Sequence, residues 1–240
     1  MITLEQLTLG YDRRTLLRDV SCTLEAGHLT ALTGRNGTGK STLLRAIAGL
    51  NRRYTGRILL DGHDARSLTP EQTARTLAFV NTERVRVTNM RCRDAVALGR
   101  APYTGWTGRL SDADRDAISR ALARTGMTDY ADRKLDTLSD GECQRVMIAR
   151  ALAQDTPIIL LDEPTSFLDL PNRYDLCSLL QRLARDEGKC ILFSTHELDI
   201  ALRLADDIML LDPPGLHLMP APQMRRSDIL RRLFGPATPQ

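Results

Sequence analysis

Apolar and polar residues alternate from the start of the chain. Ile2, Leu4, Leu7 and Leu9 form an apolar set that slips by one position at Glu5-Gln6, which predicts a strand over 2–9 with a bulge or bend there. Gly10-Tyr11-Asp12 predicts a turn, and Val20-Ser21-Cys22-Thr23-Leu24 alternates again, so the two stretches predict an antiparallel sheet. Leu29-Thr30-Ala31-Leu32-Thr33 is a short strand pattern, followed after nine residues by helix formers that stop at Gly49. Further along, 56–62 predicts a strand closed by an Asp61-Gly62 turn, Thr69-Pro70 a capped helix start, and 77–80 a buried strand. A helix is predicted over 92–99, a loop over 101–106, and a helix from the capping residue Ser111 to about 125. The second half predicts a helix over 145–153, a buried strand at Ile158-Ile159-Leu160-Leu161 and an amphipathic helix from Pro171 to about 187. Then come a strand over 190–194, a helix carrying Leu198, Ala201, Leu202 and Ala205, a strand over 208–211, and a tail reading as a strand from 216 and a helix over 227–234.

This alternation of strands and helices predicts an α/β fold, a mainly parallel sheet with helices on both faces. A length of 240 residues suits one domain with a sizeable core and a small insert. Residues 81–139 differ in character, with Arg84, Arg86, Arg91, Arg93, Arg100 and Arg109 punctuating short apolar runs. These arginines read as a solvated face, the common outcome for such a run, or as a docking surface. The net charge of +3 is too small to point to nucleic acid. Apolar runs reach four or five residues, far short of the roughly 20 that span a bilayer, and the first residues have neither the basic nor the apolar region of a signal peptide. Any service to a membrane is therefore expected from outside the lipid. Cysteines 22, 92, 143, 177 and 190 include no CxxC pair, so reduced cytosolic thiols are expected in place of zinc or disulfides.

The chemistry concentrates at Gly34-Arg35-Asn36-Gly37-Thr38-Gly39-Lys40-Ser41-Thr42, which fits GxxxxGK[ST] between a predicted strand and a predicted helix. Gly34, Gly37 and Gly39 let backbone amides turn inward on a polyphosphate, and the helix adds its positive end. Lys40 brings a charge to the β and γ phosphates, and the Ser41 hydroxyl can ligate Mg²⁺. The strand at 158–161 ends in Asp162-Glu163, at the edge where open α/β sheets bind ligands. Asp162 suits a hold on Mg²⁺, and Glu163 suits polarising an attacking water, although each acid alone also reads as a cap or a solvent-facing residue. Tyr11 reads locally as a turn or core tyrosine, or as a ring stacked on a purine.

Together these stretches resemble the ATP-binding subunit of an ABC transporter over nearly the whole chain. Leu138-Ser139-Asp140-Gly141-Glu142 resembles the family's LSGGQ signature, Ser166-Phe167-Leu168-Asp169 its D-loop, and His196 its switch histidine. The resemblance implies a P-loop NTPase core with an N-terminal antiparallel β region and a helical subdomain at about 84–140, inserted in one nucleotide-binding domain over 1–240. It implies ATP and Mg²⁺ as ligands, with Tyr11 stacking on adenine and Ser139, Gly141 and Asp169 reaching the nucleotide held by a second copy. It implies that two copies close head to tail, that Glu163 activates water, and that Lys40 and His196 stabilise charge on the γ-phosphoryl group. The partners implied are two permease subunits, reached through a groove between the core and residues 82–110, and indirectly a substrate-binding protein. The place implied is peripheral, on the cytoplasmic face of the inner membrane.

Two positions depart from the family. Thr82, in Asn81-Thr82-Glu83, falls where the family has a glutamine that touches Mg²⁺ and senses the permease, and Asp140 replaces the signature's first glycine. A threonine hydroxyl can ligate Mg²⁺ at shorter reach, and the neighbouring Glu83 offers a charged substitute, so coupling through different contacts is expected. Val96-Ala97-Leu98-Gly99-Arg100-Ala101-Pro102-Tyr103 resembles the stretch in importers of iron–siderophores, haem and cobalamin. The competing readings are an ABC ATPase without a permease and an unrelated kinase or GTPase. The first usually carries two cassettes or a long coiled-coil insertion, and this chain shows neither; the signature stretch argues against the second, and no NKxD guanine-reading motif is present.

Overall fold

The computed structural model describes residues 1–11, 14–82, 87–166 and 168–235. Its elements run β1 (Ile2–Tyr11), β2 (Arg14–Leu24), β3 (Leu29–Thr33), α1 (Lys40–Ile47), β4 (Tyr54–Leu60), β5 (His63–Asp64), α2 (Pro70–Thr76), β6 (Leu77–Val80), α3 (Cys92–Ala97) and α4 (Asp112–Arg124). There follow α5 (Asp140–Ala153), β7 (Ile158–Leu161), α6 (Leu170–Glu187), β8 (Cys190–Ser194), α7 (Leu198–Leu204), β9 (Asp207–Asp212), β10 (Gly215–Pro220), α8 (Ala221–Arg226) and α9 (Asp228–Phe234).

Four strands form an antiparallel sheet in the order β2-β1-β4-β5, and six form a second sheet in the order β10-β9-β3-β8-β7-β6. In the second sheet the pairs from β9 to β6 are parallel, and only β10 runs antiparallel. The slip at Glu5-Gln6 is a bulge. The register shifts there, and Gln6 takes φ 48°. The extra residue lets Ile2, Leu4, Leu7 and Leu9 all face one core although their numbering changes parity. Gly56 accommodates the bulge from the next strand, because a Cβ there would lie 2.3 Å from the Gln6 carbonyl oxygen. The Asp61-Gly62 turn has both residues at positive φ, 50° and 82°, as a tight hairpin requires.

The central strands are buried on both faces and divide their side chains between two cores. Ile159, Leu161, Ile191, Phe193, Ile208 and Leu210 enter one core, shared with α3 to α7. Ile158, Leu160, Cys190, Leu192, Met209 and Leu211 enter the other, between this sheet, α1 and the antiparallel sheet. Period-2 alternation thus persists inside runs that read as continuously apolar. The segment carrying α3 and α4 joins the first core through Cys92, Ala95, Val96, Ile118, Ala121 and Leu122. All five cysteines are free.

Three expectations are corrected. The first strand continues through Gly10 and Tyr11, and the second begins at Arg14. The helix expected at 145 begins at Asp140, because Ser139 caps it and Glu142 closes a capping box. The tail holds an additional helix, α8, seated on the core through Ala221 and Met224. Asp12, Glu83, Arg84, Arg86 and Phe167 lie outside the described residues.

Candidate nucleotide site

The loop between β3 and α1 is built as its residue types require. Gly34, Gly37 and Gly39 have φ of 154°, 76° and 102°. A Cβ on Gly39 would approach Leu16 Cδ1 to 2.7 Å, and one on Gly34 would lie 2.9 Å from Thr38 Oγ1 and 3.0 Å from the Leu211 carbonyl oxygen. The Thr38 hydroxyl donates to the Arg35 carbonyl at 2.8 Å and tightens the turn. Lys40, the first residue of α1, is buried, and its Nζ donates to the Gly34 carbonyl at 3.1 Å. Leu43, Leu44, Ala46 and Ile47 anchor α1 in the second core. A cavity of about 790 Å³ opens over the loop, lined by Asn36, Gly37, Gly39, Lys40, Ser41 and Thr42 together with Tyr11, Arg14, Leu16 and Glu163. This size is within the range of ligand sites. Tyr11 ends β1 largely exposed at the mouth, and Gly34 lies buried behind the loop. Arg14 and Leu16 were not foreseen. They reach the cavity because β2 returns beside Tyr11.

The acidic pair ends β7. Asp162 is 4% exposed and accepts a hydrogen bond from Ser194 Oγ at 2.6 Å. The same Ser194 oxygen accepts the Glu163 N–H at 2.8 Å. Glu163 takes φ 47°, and its carbonyl accepts from the Ser166 amide and hydroxyl at 3.2 and 2.8 Å. Ser166 Oγ also donates to Glu163 Oε2 at 3.2 Å, and His196 Nδ1 lies 3.6 Å from the same oxygen. The neighbouring Glu197 ties the histidine loop to α6 by accepting from Arg173 Nη1 at 2.5 Å and from Thr165 Oγ1 at 3.3 Å. Ser194 is the residue that sequence reasoning missed. Its one signal is a hydroxyl at the end of an otherwise apolar strand, with no exposure at all.

Ser41, which lines the cavity, and Asp162, whose carboxylate is held by Ser194, offer hydroxyl and carboxylate oxygens, the chemistry a hard divalent cation prefers. Among the described residues no group of three His, Cys, Asp or Glu forms a metal cluster. Mg²⁺ bound with nucleotide needs only one or two protein oxygens beside phosphate, so the set fits it. Thr82 lies near the pair, and its hydroxyl donates to the Asp162 main-chain carbonyl at 3.1 Å.

Ser139 and Gly141 do not meet the loop of their own chain. They line a separate cavity of about 340 Å³ with Tyr130, Glu142, Arg145 and Asn172. There Glu142 Oε2 accepts from both the Ser139 amide and its hydroxyl at 2.8 Å. These two donors, with Tyr130 behind them, hold the Glu142 carboxyl below the usual carboxylate range. Asp169 caps α6 by accepting the Asn172 N–H at 3.2 Å.

Comparison with known proteins agrees with this geometry. The achromobactin transport ATP-binding protein CbrD of Dickeya dadantii (strain 3937) is 39% identical over 208 residues, 87% of this chain and 77% of that one. The ferric enterobactin transport ATP-binding protein FepC of Escherichia coli (strain K12) is 35% identical over 232 residues, 96% of this chain and 86% of that one. A putative metal-chelate type ABC transporter solved in an inward-facing conformation superposes with a TM-score of 0.85 at 29% identity, covering 97% of this chain and 88% of that chain. A dimeric bacterial ABC transporter cassette superposes with a TM-score of 0.80 at 27% identity, covering 92% and 99%. The family model described as ABC transporter matches residues 17–166. On that match, which spans well over half of its length, the chain belongs to the ABC transporter family.

Proposed function

We propose that this chain hydrolyses ATP to power an importer that carries an iron–siderophore or similar metal chelate through a separate membrane permease. The observation that carries the reading is the convergence of the phosphate loop, Tyr11 and Glu163 on one cavity of about 790 Å³. The names of its relatives, which give achromobactin, ferric enterobactin and siderophore transport, support the cargo class.

Tyr11 stacks on the adenine, while the amides of Asn36, Gly37 and Gly39 and the groups of Lys40, Ser41 and Thr42 hold the phosphates. Gly34 shapes the loop behind them. Lys40, released from the Gly34 carbonyl, and His196 stabilise negative charge on the γ-phosphoryl group, and Glu163 takes the proton of the attacking water. Ser41 and Asp162 would hold Mg²⁺, which would supply positive charge beside the phosphate oxygens. Each site is completed by Ser139, Gly141 and the Asp169 loop of a second copy closing head to tail. The separation of the two cavities within one chain and the dimeric cassette relative support this reading. Among the described residues no helix is long and apolar enough to cross a membrane, which fits a peripheral subunit docked on permease helices. Exposed Leu50 lines a groove of about 350 Å³ with Arg52, Thr73, Phe79 and Gln154, which supports a docking face on the core side of the expected groove, with none of these residues in the 82–110 stretch.

Glu163→Gln tests the chemistry. It should bind ATP with little change, and turnover should fall about 10²–10³-fold, the usual loss for one preorganised polar group. Near-normal turnover would remove Glu163 from the reaction. Copurification with a polytopic membrane protein tests the transport role.

A further inference from the structure

One peptide unit, that between Asp162 and Glu163, decides where the Glu163 side chain points, and it is held from both sides. Its N–H donates to Ser194 Oγ at the end of β8, 2.8 Å away. Its carbonyl accepts from Thr82 Oγ1, just past the end of β6, 3.1 Å away. Glu163 needs such restraint, because at φ 47° a non-glycine residue sits in a sparsely populated conformation. The adjoining Asp162 N–H is tied to the Val80 carbonyl at 2.8 Å, so the β6 side grips the pair twice. The Thr82 hydroxyl therefore has a use at the strand end that does not involve a metal.

We infer that Thr82 is a positioning residue for Glu163, acting with Ser194 to clamp the peptide from which the carboxylate departs. This rests on the reading of Glu163 as the group that activates water.

The test uses the full-length chain with Thr82→Val, which keeps the shape and removes the hydroxyl, and Thr82→Ser, which returns it. In Thr82→Val, kcat should fall about 5–10-fold, the scale of one lost hydrogen bond. The KM for ATP, the affinity for N-methylanthraniloyl-ATP and the Mg²⁺ concentration giving half-maximal activity should not change. Thr82→Ser should restore kcat to within about twofold, since it returns that hydrogen bond. On a Glu163→Gln background Thr82→Val should add nothing to the loss, because a residue acting only through Glu163 has no further effect. An unchanged kcat in Thr82→Val overturns the inference. So does an activity that excess Mg²⁺ rescues, which makes Thr82 a metal ligand, and so does an equal loss on both backgrounds. Turnover retained by Glu163→Gln alone is a different result, read without any Thr82 variant, and it sinks the underlying assignment together with the clamp.

Discussion

A single hydroxyl, that of Ser194, gives a hydrogen bond to the Asp162 carboxylate and takes one from the Glu163 amide. Ser194→Ala would leave a carboxylate that is 4% exposed short of a donor. The expected cost is about 1–3 kcal/mol of stability, the penalty for an unsatisfied buried group. A fall in kcat should accompany it, read by urea unfolding beside steady-state turnover. An unfolding midpoint and kcat both equal to wild type would remove Ser194 from the network. Gly39 is constrained differently. At φ 102°, with Leu16 Cδ1 2.7 Å from any Cβ, Gly39→Ala should distort the loop and weaken ATP binding, measured by calorimetric titration. The need for glycine at 39 was legible in the sequence from the motif. The particular obstacle, Leu16, was not, because it comes from a strand 23 residues earlier that packs across the loop.

At the scale of elements, α4 depends on a buried ion pair. Ser111 caps the helix, and Asp114 returns a carboxylate to the Ser111 amide and hydroxyl while pairing with Arg100 Nε at 2.8 Å. Arg100 also donates to the Ala153 carbonyl at the end of α5, so the pair joins the two helices. The Ser111 donors first, and then Arg100, lower the Asp114 carboxyl to about 2. Its unfolded value lies near 4. The native state therefore holds its proton less tightly than the unfolded state does. The stabilisation is complete above about pH 4 and is lost as pH falls toward 2. Asp114→Ala should cost about 3 kcal/mol at neutral pH, as removing one partner of a buried pair does. The stability gap from wild type should narrow between pH 4 and 2, followed by chemical unfolding at each pH. A gap that stays constant over that range would contradict the role. The capping box of α5 carries a related lesson. Ser139 and Glu142 stand at the S-x-x-E spacing, which was readable in the sequence, yet Asp140-Gly141 resembles a turn and delays the predicted start of the helix.

For the whole molecule, the loop and the signature serve different cavities of one chain. A head-to-tail pair predicts complementation. Lys40→Ala disables the loop and Ser139→Ala the signature, so each variant alone should be nearly inactive. A mixed dimer contains one site with neither defect, and equal mixing should recover turnover, measured as phosphate release after subunit exchange. No recovery would show that each chain completes its own site. The six-stranded sheet makes such closure plausible in physical terms, because the loop after β3 and the acids after β7 emerge at the same edge, where a partner can cover both.

Apart from the extent of the first hairpin, the start of α5 and the helix α8, the sequence by itself determined the elements, the glycine-rich loop, the acidic strand end and the family. Those depend on periodicity and on residues close together in the chain. Only the tertiary structure decided what Thr82 and Ser194 hold, since their partners lie 80 and 31 residues away. The sheet order β10-β9-β3-β8-β7-β6 puts β7 between β6 and β8, so both hydroxyls reach the Asp162–Glu163 peptide from opposite sides. No pattern along the chain encodes that meeting. It arises when three parallel strands, separated by long crossovers, end at one edge.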